Sequence, residues 1–454
     1  MPSVNLPNNK FKDAPSYIIV DGERINFEIT FRNKGTSLQI PIDNFVSLEV
    51  EESINSPFYK GTLKIKNDNN RFDILYSPKS EVKIEYNFEE TGENLIFIKM
   101  KREKEDSTKL YIFNIIDESS EMFENTKVKV LYVENASLFY LQNNKSFFST
   151  AELVENNIDV TQLSDKDRQV NVSKAIKKVI ENSLNKLFID DDNWYNSSNK
   201  TNYTSNINDS SLDSLDYLLD KALDQDNNFL YLFQRNNRFG LYSIKKLYDD
   251  YLVADYPDNY GGNFFLTSEE APTENKNNKI SFRISDYSLY NENAKHTINR
   301  LINHKVINYN FNSKQFNIYS KDNTIENLND YINKDLLNSN TSIKRLQSPR
   351  IKSNNYFNTI YSTNPDEGAS RYEGKNILFK NLINLSTMLT MRSPGVYNIN
   401  VGNFINVQYQ AGIKNKKTNK LNGGWFVVGY KHLFKVNSFS TEVICTKFHE
   451  LDIT

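Results

Sequence analysis

The chain has 454 residues, 38% apolar and 25% charged, with a formal net charge of −2. That length exceeds one ordinary core and predicts about two to four domains. The interspersed charge excludes the clustered basic footprint of a nucleic-acid binder, and a lone cysteine, Cys445, excludes an intrachain disulfide.

Residues 17 to 135 read as nearly continuous strand. Residues 17–20 lead into an Asp21-Gly22 turn. Ile25, Phe27, Ile29 and Phe31 then alternate with polar residues, the pattern of a strand with one buried face. Apolar positions recur at Phe45, Leu48 and Val50, at Leu63 and Ile65, and at Val82, Ile84 and Tyr86. They continue at 95–98, at Leu110, Ile112 and Ile115, and at Val128, Val130 and Tyr132. Many short strands at regular spacing predict a sandwich or barrel, and closure into a barrel removes open edges.

The period changes at 172–188, where Val172, Ala175, Ile176, Val179, Ile180, Leu184 and Leu187 fall on one helical stripe. Residues 189–208 are polar and read as a loop. A second helix is expected over 211–224, opened by a Ser210/Asp213 capping box. A hairpin follows, with strands at 229–234 and 239–244 and a turn at Asn236-Asn237. Residues 249–279 read as loop and 280–284 as strand. A helix is expected around Ala294–Ile302, then a strand pair at 306–311 and 315–319. The weakly patterned stretch 322–374 reads as an excursion or arm, and 377–391 as helix. Three closing strands are expected at 397–410, 425–430 and 441–448, with the lysine-rich insert 414–420 as a loop between the first two.

No stretch carries defensible catalytic chemistry. The histidines are His296, His304, His432 and His449. The first two lie eight residues apart, where a helical metal pair needs about three or four. Asp190-Asp191-Asp192 lacks the spacing of a calcium loop. Glu51-Glu52 and Glu89-Glu90 are sequence neighbours, so on strands they point to opposite faces. Trp194 and Trp425 are too few to argue for an aromatic glycan platform. Cys445 fits a small buried hydrophobe. The first residues have no apolar signal core, and no apolar run reaches the roughly 20 residues that span a bilayer. No catalytic, cofactor-binding or metal-binding residue is assigned, and the chain is read as a non-enzyme.

Three passages carry a resemblance. They are 45–66 (FVSLEVEESINSPFYKGTLKIK), the helix-then-hairpin unit 210–247, and the closing strands 397–448 with VGNFINV, GGWFVVGYKH and FSTEVICT. Together they resemble the central baseplate hub family of contractile phage tails, the group related to late control protein D. The resemblance implies an α+β, mostly β fold, with two small antiparallel tail-tube-like β-barrels and an inserted mixed domain. Expected divisions are an N-terminal barrel at 1–140, a helix-hairpin segment at 141–250, a mixed insertion at 251–375, and C-terminal strands at 376–454 that close the second barrel. It further implies a structural virion protein: a homotrimeric hub, assembled in the host cytoplasm, joining a hexameric tail tube to a trimeric spike. Expected partners are a second and third copy, the spike, the tube ring and the baseplate wedges, with DNA only passing through a channel. The alternatives are a tail-tip or distal tail protein of a non-contractile phage and a receptor- or glycan-binding tail protein.

Overall fold

The computed structural model describes residues 17–20, 23–33, 36–67, 81–83, 89–91, 95–102, 108–123, 126–145, 147–153, 169–184, 186–206, 208–225, 230–235, 237–244, 246–247, 260–266, 281–290, 303–310, 315–322, 358–362, 388–409 and 421–446. Its first strands are β1 (Tyr17–Val20), β2 (Glu23–Asn33), β3 (Thr36–Ile40), β4 (Phe45–Ser53) and β5 (Ser56–Lys66). The short pair β6 (Glu81–Lys83) and β7 (Glu89–Thr91) follows, then β8 (Leu95–Arg102), β9 (Thr108–Phe123) and β10 (Thr126–Asn135). The alternation read at 25–31 is realised: Ile25, Phe27, Ile29 and Phe31 are buried and the residues between them are not. These side chains join Leu48, Leu63, Ile98 and Phe113 in a first core.

Helix α1 (Ala136–Asn143) ends this strand series, with the Asn135 side chain accepting from the Ser137 amide at 2.8 Å. Then come β11 (Val170–Asn171), α2 (Val172–Ser183), β12 (Ile189–Trp194), β13 (Lys200–Thr201), α3 (Ser211–Leu219), β14 (Leu230–Arg235) and β15 (Arg238–Ser243). The helical stripe of α2 is buried against Leu215 and Leu218 of α3 and against Leu230, Leu232, Phe239 and Leu241 of the hairpin, forming a core of its own. The capping box at Ser210/Asp213 is present. The expected loop 189–208 is corrected: residues 189–194 form β12, which pairs in parallel with β15.

The remaining strands are β16 (Tyr260–Leu266), β17 (Ser281–Arg283), β18 (Asp286–Tyr290), β19 (Asn303–Asn310), β20 (Gln315–Asp322), β21 (Asn358–Ser362), β22 (Met388–Pro394), β23 (Phe404–Tyr409), β24 (Gly423–Lys435) and β25 (Ser438–Thr446). Two further readings are corrected. Within the expected loop 249–279, β16 runs parallel to β23. The last residues of the expected helix 377–391 belong instead to β22, where Leu389, Met391 and Ser393 are buried in alternation. The rest of that helix, the helix around Ala294–Ile302 and the insert 414–420 lie outside the described residues. The strand pair expected at 306–319 is β19 with β20.

The strands from the two ends of the chain belong to one sheet, ordered β1-β2-β8-β9-β10-β5-β4-β24-β23-β16-β17. Its second part encloses another core, built on Phe264, Leu389, Ile405, Trp425, Phe426 and Val443. Among the described residues the strand pairing does not close either part into a barrel. Strand β24 is the hinge of the arrangement. One of its edges carries β25, while the other carries β23 along Gly423–Phe426 and β4 along Gly429–Lys435. The run Gly423–Tyr430 is buried at every position, as expected of a strand covered on both faces. Gly429 sits at the change of partner, where an added Cβ would meet Glu52 O at 3.0 Å.

Candidate functional site: a buried polar joint

The seam between β4 and β24 is where the two ends of the chain meet, and it carries a cluster of buried ionisable groups. Alternation on β24 places Tyr430, His432 and Phe434 on one face, with ring centroids 4.5 Å and 5.6 Å apart in sequence. Register sets Glu52, Val50 and Leu48 of β4 opposite them on one side, and Val443, Thr441 and Phe439 of β25 on the other. Phe434 and Phe439 stack at 4.2 Å with planes 12° apart. Phe434 also meets Phe27 of the first core at 5.9 Å, so the C-terminal strand completes packing begun near the N-terminus.

Lys109 of β9 enters this face from the other side. Its Nζ lies 3.3 Å from Ile399 O and 3.5 Å from His432 Nε2, and sits 5.4 Å from the Tyr430 ring centroid. An ammonium only donates, so Nε2 of His432 presents its lone pair and the ring proton resides on Nδ1. That proton is directed at Thr441 Oγ1, 2.9 Å away, which also accepts from Val396 N at 2.9 Å. Burial, with the nearby Lys109 charge second, pushes the His432 pKa well below its ordinary value. The Tyr397 hydroxyl donates to Met100 O at 2.5 Å and accepts from Lys109 N at 3.1 Å.

Glu52 is partly exposed as a residue, but its carboxyl is densely surrounded. Burial raises its pKa, while the Lys109 charge and a hydrogen bond with Tyr430 oppose the rise. Tyr430 and Tyr111 are both held well above the ordinary tyrosine value, first by burial and then by the Glu52 charge. The helical unit reaches the same place through the tip of its hairpin. Asn237, at φ +61°, receives the Tyr59 hydroxyl proton at 2.6 Å and donates to Leu110 O. Asn tolerates this left-handed backbone better than most residues. Tyr59 OH also accepts from Ile112 N at 2.7 Å.

This arrangement binds three packed units to one another and leaves almost no space. The cavity among Glu52, Lys109, Tyr111, Gln234 and Tyr430 holds about 10 Å³, the lower limit for one water. It offers neither substrate entry nor an exposed nucleophile. Among the described residues no three or more His, Cys, Asp or Glu side chains gather to hold a metal. Of the residues weighed from sequence, His432 belongs to the joint and His304 lies on β19. His296 and His449 lie outside the described residues. Glu51 and Glu52 do point to opposite faces: Glu51 reaches Lys60 at the surface at 3.7 Å, and Glu52 faces the joint. Asp191 pairs with Lys177, Asp190 accepts from Asn193 at 2.8 Å, and Cys445 is fully buried. Sequence reasoning missed Lys109 entirely. The eight-residue buried run of β24 was the one available signal that strands cover both of its faces.

No protein-family model matches the chain, and no curated protein matches it. Among solved structures, the chain is similar to the tail protein from Neisseria meningitidis MC58 at 10% identity and TM-score 0.49, over 93% of this chain and 96% of that one. It is also similar to the 43 kDa tail protein of prophage MuSo2 from Shewanella oneidensis, at 7% identity and TM-score 0.45, over 92% and 97%. A third similarity is to an E. coli type VI secretion component, itself described as similar to bacteriophage T4 tail proteins gp27 and gp5. That match has 8% identity and TM-score 0.44, over 92% of this chain and 76% of the other.

Proposed function

We propose that the chain is a structural subunit of a phage-type tail, acting as the central hub of a baseplate. The observation that carries this reading is the β4–β24 seam, which fuses an N-terminal and a C-terminal strand set edge to edge, each with its own core. A subunit that presents two strand sets side by side can meet a six-fold ring when three copies assemble, while remaining three-fold toward a spike. The three passages that resemble the hub family fall on this seam and on the hairpin locked into it. In this reading residues 1–140 and 376–454 supply two tube-like units, 141–250 is the helix-hairpin segment, and 251–375 is the insertion. The ring lies between tail tube and spike, is bordered by wedge proteins, and leaves a central passage for DNA. Assembly takes place in the host cytoplasm and the mature location is the virion.

Native mass measurement of the purified chain, alone and with its spike, tests the reading. Three copies, or three copies on one spike trimer, are expected. Electron microscopy of the same sample should show a ring with three-fold or pseudo-six-fold symmetry. A stable complex of any other ratio overturns it.

A further inference from the structure

A cleft of about 660 Å³ lies outside the joint, between α2, the end of β12 and β13. Four lysines line it, Lys174, Lys177 and Lys178 from α2 and Lys200 from β13, against one lining carboxylate, Glu181. Successive helix positions 174, 177 and 178 share a face, so the three charges of α2 are delivered to one side. Trp194 forms part of the wall. Its ring is half-buried, with Lys177 Nζ 5.9 Å from the ring centroid. The Trp194 indole N–H is buried and has no hydrogen-bond partner among the described residues.

We propose that this cleft binds a phosphate-bearing saccharide. The lysines hold the phosphate, and Lys177 and Lys178 exchange part of their ion pairs with Asp191 and Glu181 for the ligand. The half-exposed indole ring offers an apolar platform to the sugar ring. The carboxamides of Gln169, Asn171 and Asn196 on the same wall match hydroxyl groups. The anion is held by side chains and not by the helix terminus, whose first amides are occupied: Val172 N donates to Asn199 O at 3.2 Å and Ser173 N to Ser197 Oγ at 2.9 Å. The proposal is independent of the hub reading.

Tryptophan fluorescence of the full chain tests it. Trp425 is fully buried, with its N–H bonded to Leu421 O at 2.8 Å, so changes on ligand addition report on Trp194. Glucose 6-phosphate and a glycerol-phosphate polymer are titrated in parallel, with glucose and polyglutamate as controls. A saturable change is expected with one or both phosphate ligands, weakened about tenfold or more in Lys178→Glu/Lys200→Glu and weakened by added salt in the unmodified chain. Binding of glucose 6-phosphate points to a free sugar phosphate as the source, and binding of the polymer alone to a polymeric one. The salt titration decides the matter if the double variant does not fold. The proposal is overturned by no saturable change with either phosphate ligand, by an equal response to glucose, by a response indifferent to both salt and lysine reversal, or by displacement of the phosphate ligand by polyglutamate at equal charge concentration.

Discussion

The hydroxyl of Tyr397 donates to the carbonyl oxygen of Met100 at 2.5 Å, across 297 residues of sequence and inside the core of the N-terminal strands. The Tyr397 hydroxyl oxygen also accepts from the Lys109 amide at 3.1 Å, so a single side chain from the C-terminal part serves two backbone groups of β8 and β9. Tyr397→Phe removes one partner from each of those buried groups while keeping the ring. A loss of about 1–3 kcal/mol is expected, read as a lower urea midpoint at unchanged slope. A change of slope instead would mean that the two ends of the chain had uncoupled.

Gly402 adopts φ +85°, donates its amide to Val427 O at 3.0 Å, and faces the Phe233 ring, which an added Cβ would approach to 2.6 Å. Gly402→Ala therefore combines left-handed backbone strain with crowding between the hairpin and the second core. A loss of about 2–4 kcal/mol is expected in equilibrium unfolding. Gly402→Ala combined with Phe233→Leu should recover part of it, because only the crowding component depends on that ring.

His432 sets a pH dependence with a definite sign. Its folded pKa lies well below the ordinary 6.5, so below pH 6.5 the unfolded chain takes up a proton that the folded chain refuses. Stability falls as pH drops from 6.5 toward the folded value, by at most about 1.4 kcal/mol per pH unit from this group. Glu52 acts oppositely. Its folded pKa lies above 4.5, so its contribution is lost as pH rises from 4.5 through the folded value. The difference between wild type and His432→Gln isolates the first effect, and that between wild type and Glu52→Gln the second. Urea midpoints from pH 4 to 8 should show the two differences sloping in opposite directions. Parallel slopes would contradict the burial of one of these groups.

Ser210 opens α3 by accepting from the Asp213 amide at 3.2 Å, while the Asp213 carboxylate takes the Ser210 amide at 2.8 Å and its hydroxyl at 2.7 Å. Those bonds hold the Asp213 carboxyl below its ordinary value. Ser210→Ala should cost about 0.5–2 kcal/mol, seen as a lower melting temperature. Asp213→Asn should abolish the part of that stability that is lost on acidification.

Local pattern explains what could be read from the sequence. The alternation at Ile25–Phe31, the stripe of α2 and the Ser210 cap each lie within a few residues and follow one period. β12 escaped because IDDDNW has no apolar alternation and is held only by parallel pairing at Ile189 and Trp194. β16 escaped because Gly261-Gly262 reads as a turn, although Gly261 is there for close approach: an added Cβ would lie 2.9 Å from the Ile405 side chain. β22 alternates only when Ser393 is counted as buried, and a serine gives no such signal. The joint itself was invisible. Lys109 looks like any polar strand position, and the partners that bury it arrive from Ile399 and His432.

The double partnership of β24 has a consequence for the order of synthesis. β4 leaves the ribosome early, with β5 on one edge and nothing yet made for the other. At about 5–20 residues per second, tens of seconds pass before Gly429–Lys435 emerges to cover it. Through that interval a nascent chain exposes a bare strand edge to its neighbours on the same message, and bare edges recruit foreign strands. The glutamates at positions 49, 51 and 52 put charged side chains along β4, a feature that disfavours foreign pairing until the chain receives its own last strands.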